Sequence, residues 1–428
     1  MSDPRYPIAV CLSVGIVLPA LALRNAGLFM ASVPVLAYAA ALLIARLRLP
    51  RPELDVTRTP SAHRVCSGDD IQIVVTASNG GAALPLVGVL DAVPDGERLH
   101  EGSPSYLGPI ARDQDVRLSY TVRPERGLHF QKQVTVVSWA WSGLAFQEHG
   151  LVCSTYVSAV PEIEKLPPLI LRPRRTHAVA GSIMARTAGP GVDFFGCRGY
   201  VPGDDVRRIN WRALARTDRL VVNEYEQERM ADVILVLDVR AQAHVEVGAR
   251  GTFEPACRCA ASLADHLIRS GNRVGFLLYG QSIDWIQPAG GRFHLEKILA
   301  SILRAKPVRS FAFEDLASIP MSVFPSGSQV ILLSSLPNDE DYRVPIQLTA
   351  RGYSVLVLHL NSEKLQASAQ PPDDALALGL RIREMRRDTM VRQMRRGGVR
   401  VLAWDTEEPL SVALHRARLE RDGGRRRA

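Results

Sequence analysis

The chain has 428 residues, enough for two or three domains, and it carries 52 Lys and Arg against 44 Asp and Glu, a formal net charge of +8. Only five of the 52 basic residues are lysines, so the arginine bias belongs to the whole chain and does not by itself predict a nucleic-acid partner. The six cysteines show neither CxxC pairs nor a metal-type spacing with histidine, which indicates a reduced compartment.

Two uncharged apolar runs stand near the N-terminus. The first extends from Pro7 to Leu23, and the second ends at Ala45. Each approaches the roughly 20 residues that a helix needs to cross hydrocarbon. A cleaved signal peptide would explain only the first run, and a buried helix pair of a soluble protein would show a polar face. The sequence therefore predicts a transmembrane helical hairpin over residues 1–50.

Arginines at the ends of these runs predict the orientation of the hairpin. Arg46, Arg48 and Arg51 follow the second run. Arg5 precedes the first run, and the turn between the runs contributes only Arg24. Because positively charged residues stay on the cytoplasmic side of a membrane, both ends are expected in the cytoplasm. We expect a cell-membrane protein with two spans in the lipid bilayer and with cytoplasmic soluble domains.

The region after the hairpin, residues 51–165, has the pattern of a β domain. Short apolar and β-branched runs alternate there with Gly, Pro, Asp and Asn, and no segment sustains a helical period. This pattern predicts a small antiparallel β-sandwich. Trp139 and Trp141 alternate within it, and we interpret them as residues that pack at a strand end rather than as an exposed ligand grip.

Residues 166–231 hold a linker and then a dense segment, "DFFGCRGYVPGDDVRRINWRALAR", from Asp193 to Arg216. Its Pro-Gly pair sets a turn. Asp204 and Asp205 are placed to accept backbone hydrogen bonds and to begin a helix. That helix would have an apolar side anchored by Trp211 and a cationic side. We interpret the segment as a clasp between the domains, its arginines serving as an internal brace or as a docking surface.

From Asp232 onward, apolar strands alternate with helical patterns. The first strand, Asp232 to Asp238, is almost continuously apolar, and a helical pattern follows it. The alternation predicts an α/β domain over residues 232–428, with a doubly wound, mostly parallel sheet and helices on both faces. It includes a basic C-terminal region, Arg381 to Arg400. Ligands of such sheets gather at the carboxyl ends of the strands.

The dense segment resembles the signature of the family called domain of unknown function 58. Members carry a glycine-aromatic-arginine-tyrosine pattern, then PGD, arginine, Trp and AR, followed by an acidic strand. Asn210 stands where the family usually has Asp. The residues that we predict to form the signature or interaction segment are Arg198, Tyr200, Pro202, Gly203, Asp204, Arg207, Arg208, Trp211, Arg216, Glu224 and Glu228.

The resemblance implies a von Willebrand A-like α/β domain after the β domain and the hairpin. It also implies partners, because members are often encoded near MoxR-type AAA+ ATPases and membrane-bound transglutaminase-like proteins. Von Willebrand A domains hold a divalent metal through Asp-x-Ser-x-Ser and a second Asp. Here Asp238 is the remnant, Arg240 and Gln242 replace the serines, and Ser335 stands where the second Asp is expected. An arginine would repel the cation, so we predict a degenerate site, no metal and no cofactor.

Motifs of common enzyme classes are missing from the sequence, which has no GxxxxGK[ST], HExxH or GxSxG. His244, His266 and His294 have no partnered nucleophile. Adjacent carboxylates at a helix start, Asp204 and Asp205, suit capping better than acid-base chemistry. The sequence predicts a protein that is not an enzyme.

Two functions remain. The first is a membrane-anchored cytoplasmic interaction or scaffold protein, a partner or substrate adaptor of a MoxR-type AAA+ ATPase in complex assembly or envelope maintenance. The alternative is a binder of an anionic ligand, either a lipid head group or nucleic acid. Nearby carboxylates can neutralise the arginines within the fold, which favours the first function and disfavours nucleic acid. The oligomeric state is left open. The arginines of the alternative are Arg198, Arg207, Arg208, Arg212, Arg216 and those from Arg381 to Arg400.

Overall fold

A computed structural model describes the chain in two compact units, Met1–Val160 and Pro161–Ala428. The architecture is mixed α/β with several sheets, as the sequence predicts. The residues described are 5–47, 49, 52–94, 97–140, 143, 145–169, 171, 173, 183–248, 250–280, 283–309, 319, 324–361, 365 and 374–416.

Two apolar helices open the first unit, α1 (Arg5–Ala22) and α2 (Ala26–Leu47). They contact each other through a small cluster of Ala9, Ala39 and Leu42. Within the described residues, the stretch Phe29–Leu47 of α2 is the one helix long and apolar enough to cross a membrane, and the apolar part of α1 is shorter. One candidate membrane helix therefore stands near the N-terminus. The predicted flanking residues Arg48 and Arg51 lie outside the described part of the chain.

Short strands with alternating burial make up the rest of the first unit. In β1, for example, every second side chain is buried, which is the period of a strand with one face in a core. The strands are β1 (Leu54–Pro60), β2 (Arg64–Cys66), β3 (Ile71–Asn79), β4 (Leu84–Leu90), β5 (Glu97–Gly102), β6 (Ser105–Ile110), β7 (Asp115–Pro124), β8 (Gly127–Trp139) and β9 (Phe146–Val160).

These strands form two sheets over one core. The strand orders are β1-β3-β7-β5 and β2-β9-β8-β4-β6, and all pairs are antiparallel except β2 with β9. Val56 and Ile73 of the first sheet share a buried cluster with Val87 and Val136 of the second. Trp139 lies over Gly88, where an added Cβ would approach its ring to 3.0 Å. This contact agrees with a packing role for Trp139, whereas Trp141 lies outside the described residues.

The core of this unit also holds a buried ion pair that the sequence pattern did not predict. Arg58 Nε donates to Asp91 Oδ2 at 2.9 Å, and both side chains are fully buried. Tyr120 donates its hydroxyl to the same carboxylate at 2.7 Å, and Arg58 Nη1 donates to the carbonyl oxygen of Cys153 at 2.7 Å. Each charge therefore has partners, which is the condition for keeping a charge in a protein core.

The second unit begins with a long antiparallel strand pair and continues as a larger sheet covered by helices. Its strands are β10 (Ile183–Gly199), β11 (Val221–Arg229), β12 (Asp232–Asp238), β13 (Glu246–Val247), β14 (Arg250–Gly251), β15 (Arg273–Tyr279), β16 (Ile283–Ala289), β17 (Gln329–Ser334), β18 (Ser354–Asn361) and β19 (Arg400–Asp405). Its helices are α3 (Trp211–Thr217), α4 (Phe253–Arg269), α5 (Arg292–Arg304), α6 (Arg343–Ala350) and α7 (Asp374–Arg396).

The larger sheet has the order β16-β15-β12-β17-β18-β19, and its strands run parallel except for the edge strand β16. Side chains of β12 alternate between two cores. Leu235 packs with residues of α4 and α5, whereas Val236 packs with residues of α6 and α7. Every residue of β12 is buried because helices cover both faces. The carboxyl ends of the parallel strands consequently meet at one edge of the sheet, where Asp238 and Ser334 end their strands.

Candidate functional site

The signature segment includes the end of β10, the connection that follows it and much of β11, and the two strands pair so that Arg198 lies opposite Val222. A 3-10 turn, Val206–Arg208, and α3 fill the connection. Asn210 caps α3 by accepting a hydrogen bond from Ala213 N at 3.0 Å, and its Nδ2 donates to Asn223 Oδ1 on β11 at 2.9 Å. An amide can both accept and donate, so Asn210 fastens the helix start to the strand in a way that a carboxylate cannot.

Arg198 is the centre of an ion-pair brace in this segment. Its two terminal nitrogens donate to both oxygens of Asp204, at 2.6 and 2.7 Å, and its Nε donates to Glu224 at 2.8 Å. The hydrogen bonds from Arg198 and then from Val201 N lower the pKa of Asp204 to about 2. A bidentate pair fixes geometry as well as charge. The brace therefore ties the turn after β10 to β11.

The turn itself follows its sequence. Gly203 has a φ of 109°, in the region that glycine adopts without strain. Asp204 Oδ2 accepts from Val201 N at 2.9 Å, and Asp205 Oδ1 accepts from Arg207 N at 2.9 Å. The prediction that these two carboxylates accept backbone hydrogen bonds is confirmed. Tyr200 is half-buried and donates its backbone N–H to Leu220 O at 3.0 Å.

The prediction that Trp211 is a buried anchor is wrong. Its side chain is 60% exposed, whereas Ile209, just before the helix, is 8% exposed and pairs with the buried Val222. The reason is geometric: α3 has only seven residues, its N-cap is fixed to β11, and Ala213 and Leu214 rather than Trp211 occupy its inner side. The apolar anchor of the segment is therefore Ile209.

Exposed side chains near Trp211 in the sequence form what we call the signature surface. Arg207, Arg212 and Arg216 form no ion pair with any side chain that the structure describes. The expected neutralisation of the arginines by nearby carboxylates is therefore seen for Arg198 but not for these three. Arg208 is half-buried, and the side chain of Glu228 lies outside the described ones. The segment thus separates into a brace and a surface. The signature surface consists of Val201, Val206, Arg207, Trp211, Arg212 and Arg216.

A second polar cluster lies at the carboxyl ends of β12 and β17. Arg240 Nε and Nη2 donate to the two oxygens of Asp238 at 2.9 and 2.8 Å, and its Nη1 and Nη2 donate to Asp341 at 3.1 and 3.0 Å. Ser334 Oγ donates to Asp238 Oδ2 at 2.6 Å. All four residues are buried. Burial lowers the pKa of Arg240, but the bonds and attraction to Asp238 and then Asp341 outweigh it, so the guanidinium stays charged.

Neighbouring loops are fastened to this cluster. His244 Nε2 donates to the carbonyl oxygen of Asp238 at 2.6 Å, and burial lowers the pKa of this histidine, so the ring is neutral at pH 7. Ser335 Oγ donates to Ala243 O at 2.8 Å rather than facing a metal. The residues present do not fit a divalent cation, because the Arg240 guanidinium already lies between the carboxylates.

Sequence reasoning missed Asp341 and expected Ser335 at the position of the second carboxylate. Asp341 arrives from the loop after β17, seven residues beyond Ser334, and it also accepts from Asn338 N at 3.2 Å. The acidic run "NDED" at 338–341 was the only available signal, and nothing local shows that its last carboxylate turns back towards β12.

His359 lies near the end of β18, where it pairs in register with Ser334. It is 5% exposed, and its Nδ1 has no hydrogen-bond partner in the part of the chain that the structure describes. Burial, with repulsion from Arg387, lowers the pKa of His359 to about 4. The ring is therefore a neutral core residue at pH 7.

Residues 196–368, which contain both clusters, match the family described as Protein of unknown function DUF58. The chain therefore contains a region similar to DUF58 that covers less than half of its length. The resemblance seen in the sequence is thereby confirmed, and the DUF58 match includes the brace, the signature surface and the Arg240 cluster.

Two relatives of this chain carry names that mark them as uncharacterized. The chain is 28% identical to the uncharacterized protein Rv1480 of Mycobacterium tuberculosis over 135 residues, which are 31% of this chain and 43% of the relative. It is 23% identical to the uncharacterized protein YeaD of Bacillus subtilis over 207 residues, 47% of each chain. The chain thus spans less than half the length of these relatives.

Among solved structures, a CARDB domain from Pyrococcus furiosus in complex with di-metal ions is 14% identical, with a TM-score of 0.19, over 27% of this chain and 97% of that one. A likeness of that size carries no argument about this chain's fold or function.

Proposed function

We propose that this DUF58 chain is a membrane-anchored cytoplasmic interaction protein that docks a partner with an acidic surface through its signature surface. In this proposal α1 and α2 form a two-span hairpin that holds the chain at the cell membrane. The mostly parallel sheet is a von Willebrand A-like scaffold that presents the DUF58 signature.

The observation that carries the proposal is the exposure of Trp211 among cationic side chains. An indole that is 60% exposed gains little from the fold of its own chain. Trp and Arg are the side chains most enriched among the residues that dominate protein interfaces. Arg207, Arg212 and Arg216 lie within five residues of it in the sequence, are exposed and form no ion pairs with the described side chains, so they are available to acidic groups of a partner.

The brace supports the same proposal, because it leaves the fold of the segment independent of the surface. Arg198 holds the turn and β11 together, while Ile209 supplies the buried contact. The exposed arginines can therefore serve recognition without being needed for folding. The partner that we propose is a MoxR-type AAA+ ATPase, with a membrane-bound transglutaminase-like protein in the same assembly, as the family resemblance implies.

A second candidate function, binding to an anionic lipid surface, is favoured by α7. Leu378, Ile382 and Met385 are each more than half exposed, and their spacing places them on one face of that helix. Exposed arginines such as Arg381 and Arg392 lie on the same helix. A basic helix with an exposed apolar face is typical of helices that lie on membranes. Against it, Arg386 of α7 is paired with Asp339 within the fold.

Two matched variants of the full-length protein separate these functions. The first changes Arg207, Arg212 and Arg216 to Ser, and the second changes Arg381, Arg392 and Arg396 to Ser, so that each removes three exposed charges. Each is used to capture purified ATPase in detergent and, in parallel, to bind vesicles with and without anionic lipid.

We expect the first variant to lose the ATPase and keep its vesicle binding, while the second still captures the ATPase. Equal loss of ATPase capture in both variants would mean that the interaction depends only on the net charge of the protein. That result would contradict docking through a specific surface. If the second variant loses vesicle binding while both variants still capture the ATPase, the function is lipid binding through α7.

A further inference from the structure

The cluster at the carboxyl ends of β12 and β17 has the composition of a cation-binding pocket. Asp238, Ser334 and Asp341 are each less than 1% exposed, and they present carboxylate and hydroxyl oxygens, the ligands that hard divalent cations prefer. Two carboxylates in one buried pocket are stable as anions only if a positive charge lies between them. Some cation is therefore part of this pocket's folded structure.

That cation belongs to the chain itself. A single nitrogen of Arg240, Nη2, donates to Asp238 Oδ2 at 2.8 Å and to Asp341 Oδ2 at 3.0 Å. The neighbouring nitrogens donate to the remaining oxygen of each carboxylate, at 2.9 and 3.1 Å. The side chain of Arg240 is only 3% exposed. The guanidinium thus lies where one ion would contact both carboxylates.

We propose that Asp238, Ser334 and Asp341 form a cation site whose permanent occupant is the side chain of Arg240, and that removing this guanidinium opens the site to a divalent cation such as Mn²⁺ or Mg²⁺.

The consequence for the protein is a sheet edge whose loops stay fixed in the absence of metal. Arg240 binds the loop after β12 to the loop after β17, and its own loop is fastened by a hydrogen bond from Ala241 N to Val308 O at 2.9 Å. A covalently attached cation cannot exchange with solvent or be removed by a chelator. Whatever this edge binds, it cannot bind by completing the coordination of an exchangeable metal ion.

The test compares the full-length parent with Arg240→Ser, each purified in detergent and freed of metal. Mn²⁺ binding is measured by the loss of its free electron-paramagnetic-resonance signal, and the melting temperature is measured with and without Mn²⁺. We expect no saturable binding and no Mn²⁺ shift for the parent. For Arg240→Ser we expect a lower melting temperature without metal, stoichiometric binding, and a higher melting temperature when Mn²⁺ is added.

The matched control is Arg240→Ser combined with Asp341→Asn. It lacks one of the two carboxylates, so its Mn²⁺ affinity should fall by about tenfold or more, since ligand charge sets the affinity of such sites. Equal Mn²⁺ affinity in the single and double variants would place the ion elsewhere and overturn the proposal.

A third variant keeps the test decisive if Arg240→Ser does not fold. Asp238→Asn, Arg240→Met and Asp341→Asn together remove every charge from the pocket. This variant should fold with no response to Mn²⁺, because no uncompensated charge is left buried. If it folds while Arg240→Ser stays unfolded in saturating Mn²⁺, the pocket cannot hold a metal ion and the proposal is wrong. Mn²⁺ binding to the parent with the affinity of Arg240→Ser would be equally contrary to it.

Discussion

Acid should destabilise the second unit through His359. In the folded protein this ring is buried beside Arg387, and its pKa is about 4, against 6.5 for an ordinary histidine. Between these two pH values, His359 binds a proton in the unfolded chain but not in the folded protein. The stabilising contribution of the neutral ring is therefore fully present above about pH 6.5 and is lost as the pH falls towards 4.

The size of the effect follows from the difference between the two pKa values. The folded and unfolded values differ by about 2.5 units, and each unit corresponds to about 1.4 kcal/mol, so the full loss is about 3 kcal/mol. At pH 5 the loss should be about 2 kcal/mol, since most of the unfolded histidine is then protonated. For a domain of ordinary stability this is a large fraction of the free energy of unfolding.

The assay is denaturant unfolding of the parent and of His359→Asn at pH 7, 6 and 5. The asparagine does not titrate, so the variant should lose less stability than the parent over this range, by about 2 kcal/mol at pH 5. Other buried histidines such as His244 titrate in both proteins and cancel in the comparison. If parent and variant lose stability in parallel, His359 is not the acid-sensitive group and the argument from its burial is refuted.

Three further substitutions test the packing and pairing described above. Ile209→Ala should lower the free energy of unfolding by about 2 to 4 kcal/mol, whereas Trp211→Ala should change it by no more than about 0.5 kcal/mol, both measured by thermal unfolding. A larger loss for Trp211→Ala than for Ile209→Ala would show that Trp211 is the anchor. Arg198→Ala should speed amide hydrogen exchange in the signature segment while leaving the exchange of β12 unchanged, and unaltered exchange in the segment would show that the brace does not hold it. Removing one partner of the buried pair by Arg58→Met should cost about 3 to 5 kcal/mol, and combining it with Asp91→Leu should recover part of this loss in a double-mutant cycle; full additivity of the two changes would deny their coupling.

The parts of the fold that follow from local pattern could be predicted. The continuous apolar run of β12 indicates a strand with both faces buried, and the structure places helices on both sides of it. The turn at Gly203 and the capping by Asp205 follow from residue chemistry within a few positions. The apolar N-terminal runs form helices, but only the stretch Phe29–Leu47 has the length and composition of a span among the described residues.

The parts that depend on distant partners could not be predicted. The apolar indole predicts Trp211 as an anchor, but the direction of a side chain on a seven-residue helix depends on how the start of the helix is held. Arg58 and Asp91 are 33 residues apart, and Arg240 and Asp341 are 101 residues apart. Such pairs depend on the return path of a loop, which no local pattern shows.

The most direct test of the proposed docking function is photo-crosslinking from position 211. Trp211 is replaced in the full-length protein by the photoreactive amino acid p-benzoylphenylalanine, which keeps an aromatic ring on the signature surface, and intact cells are irradiated. Phe293, which is 87% exposed on α5, is the control position for collision with any neighbour. The account predicts a discrete protein adduct from position 211 that is missing from position 293 and is lost when Arg207, Arg212 and Arg216 are also changed to Ser. Adducts to lipid alone, or the same protein adducts from both positions, would contradict it.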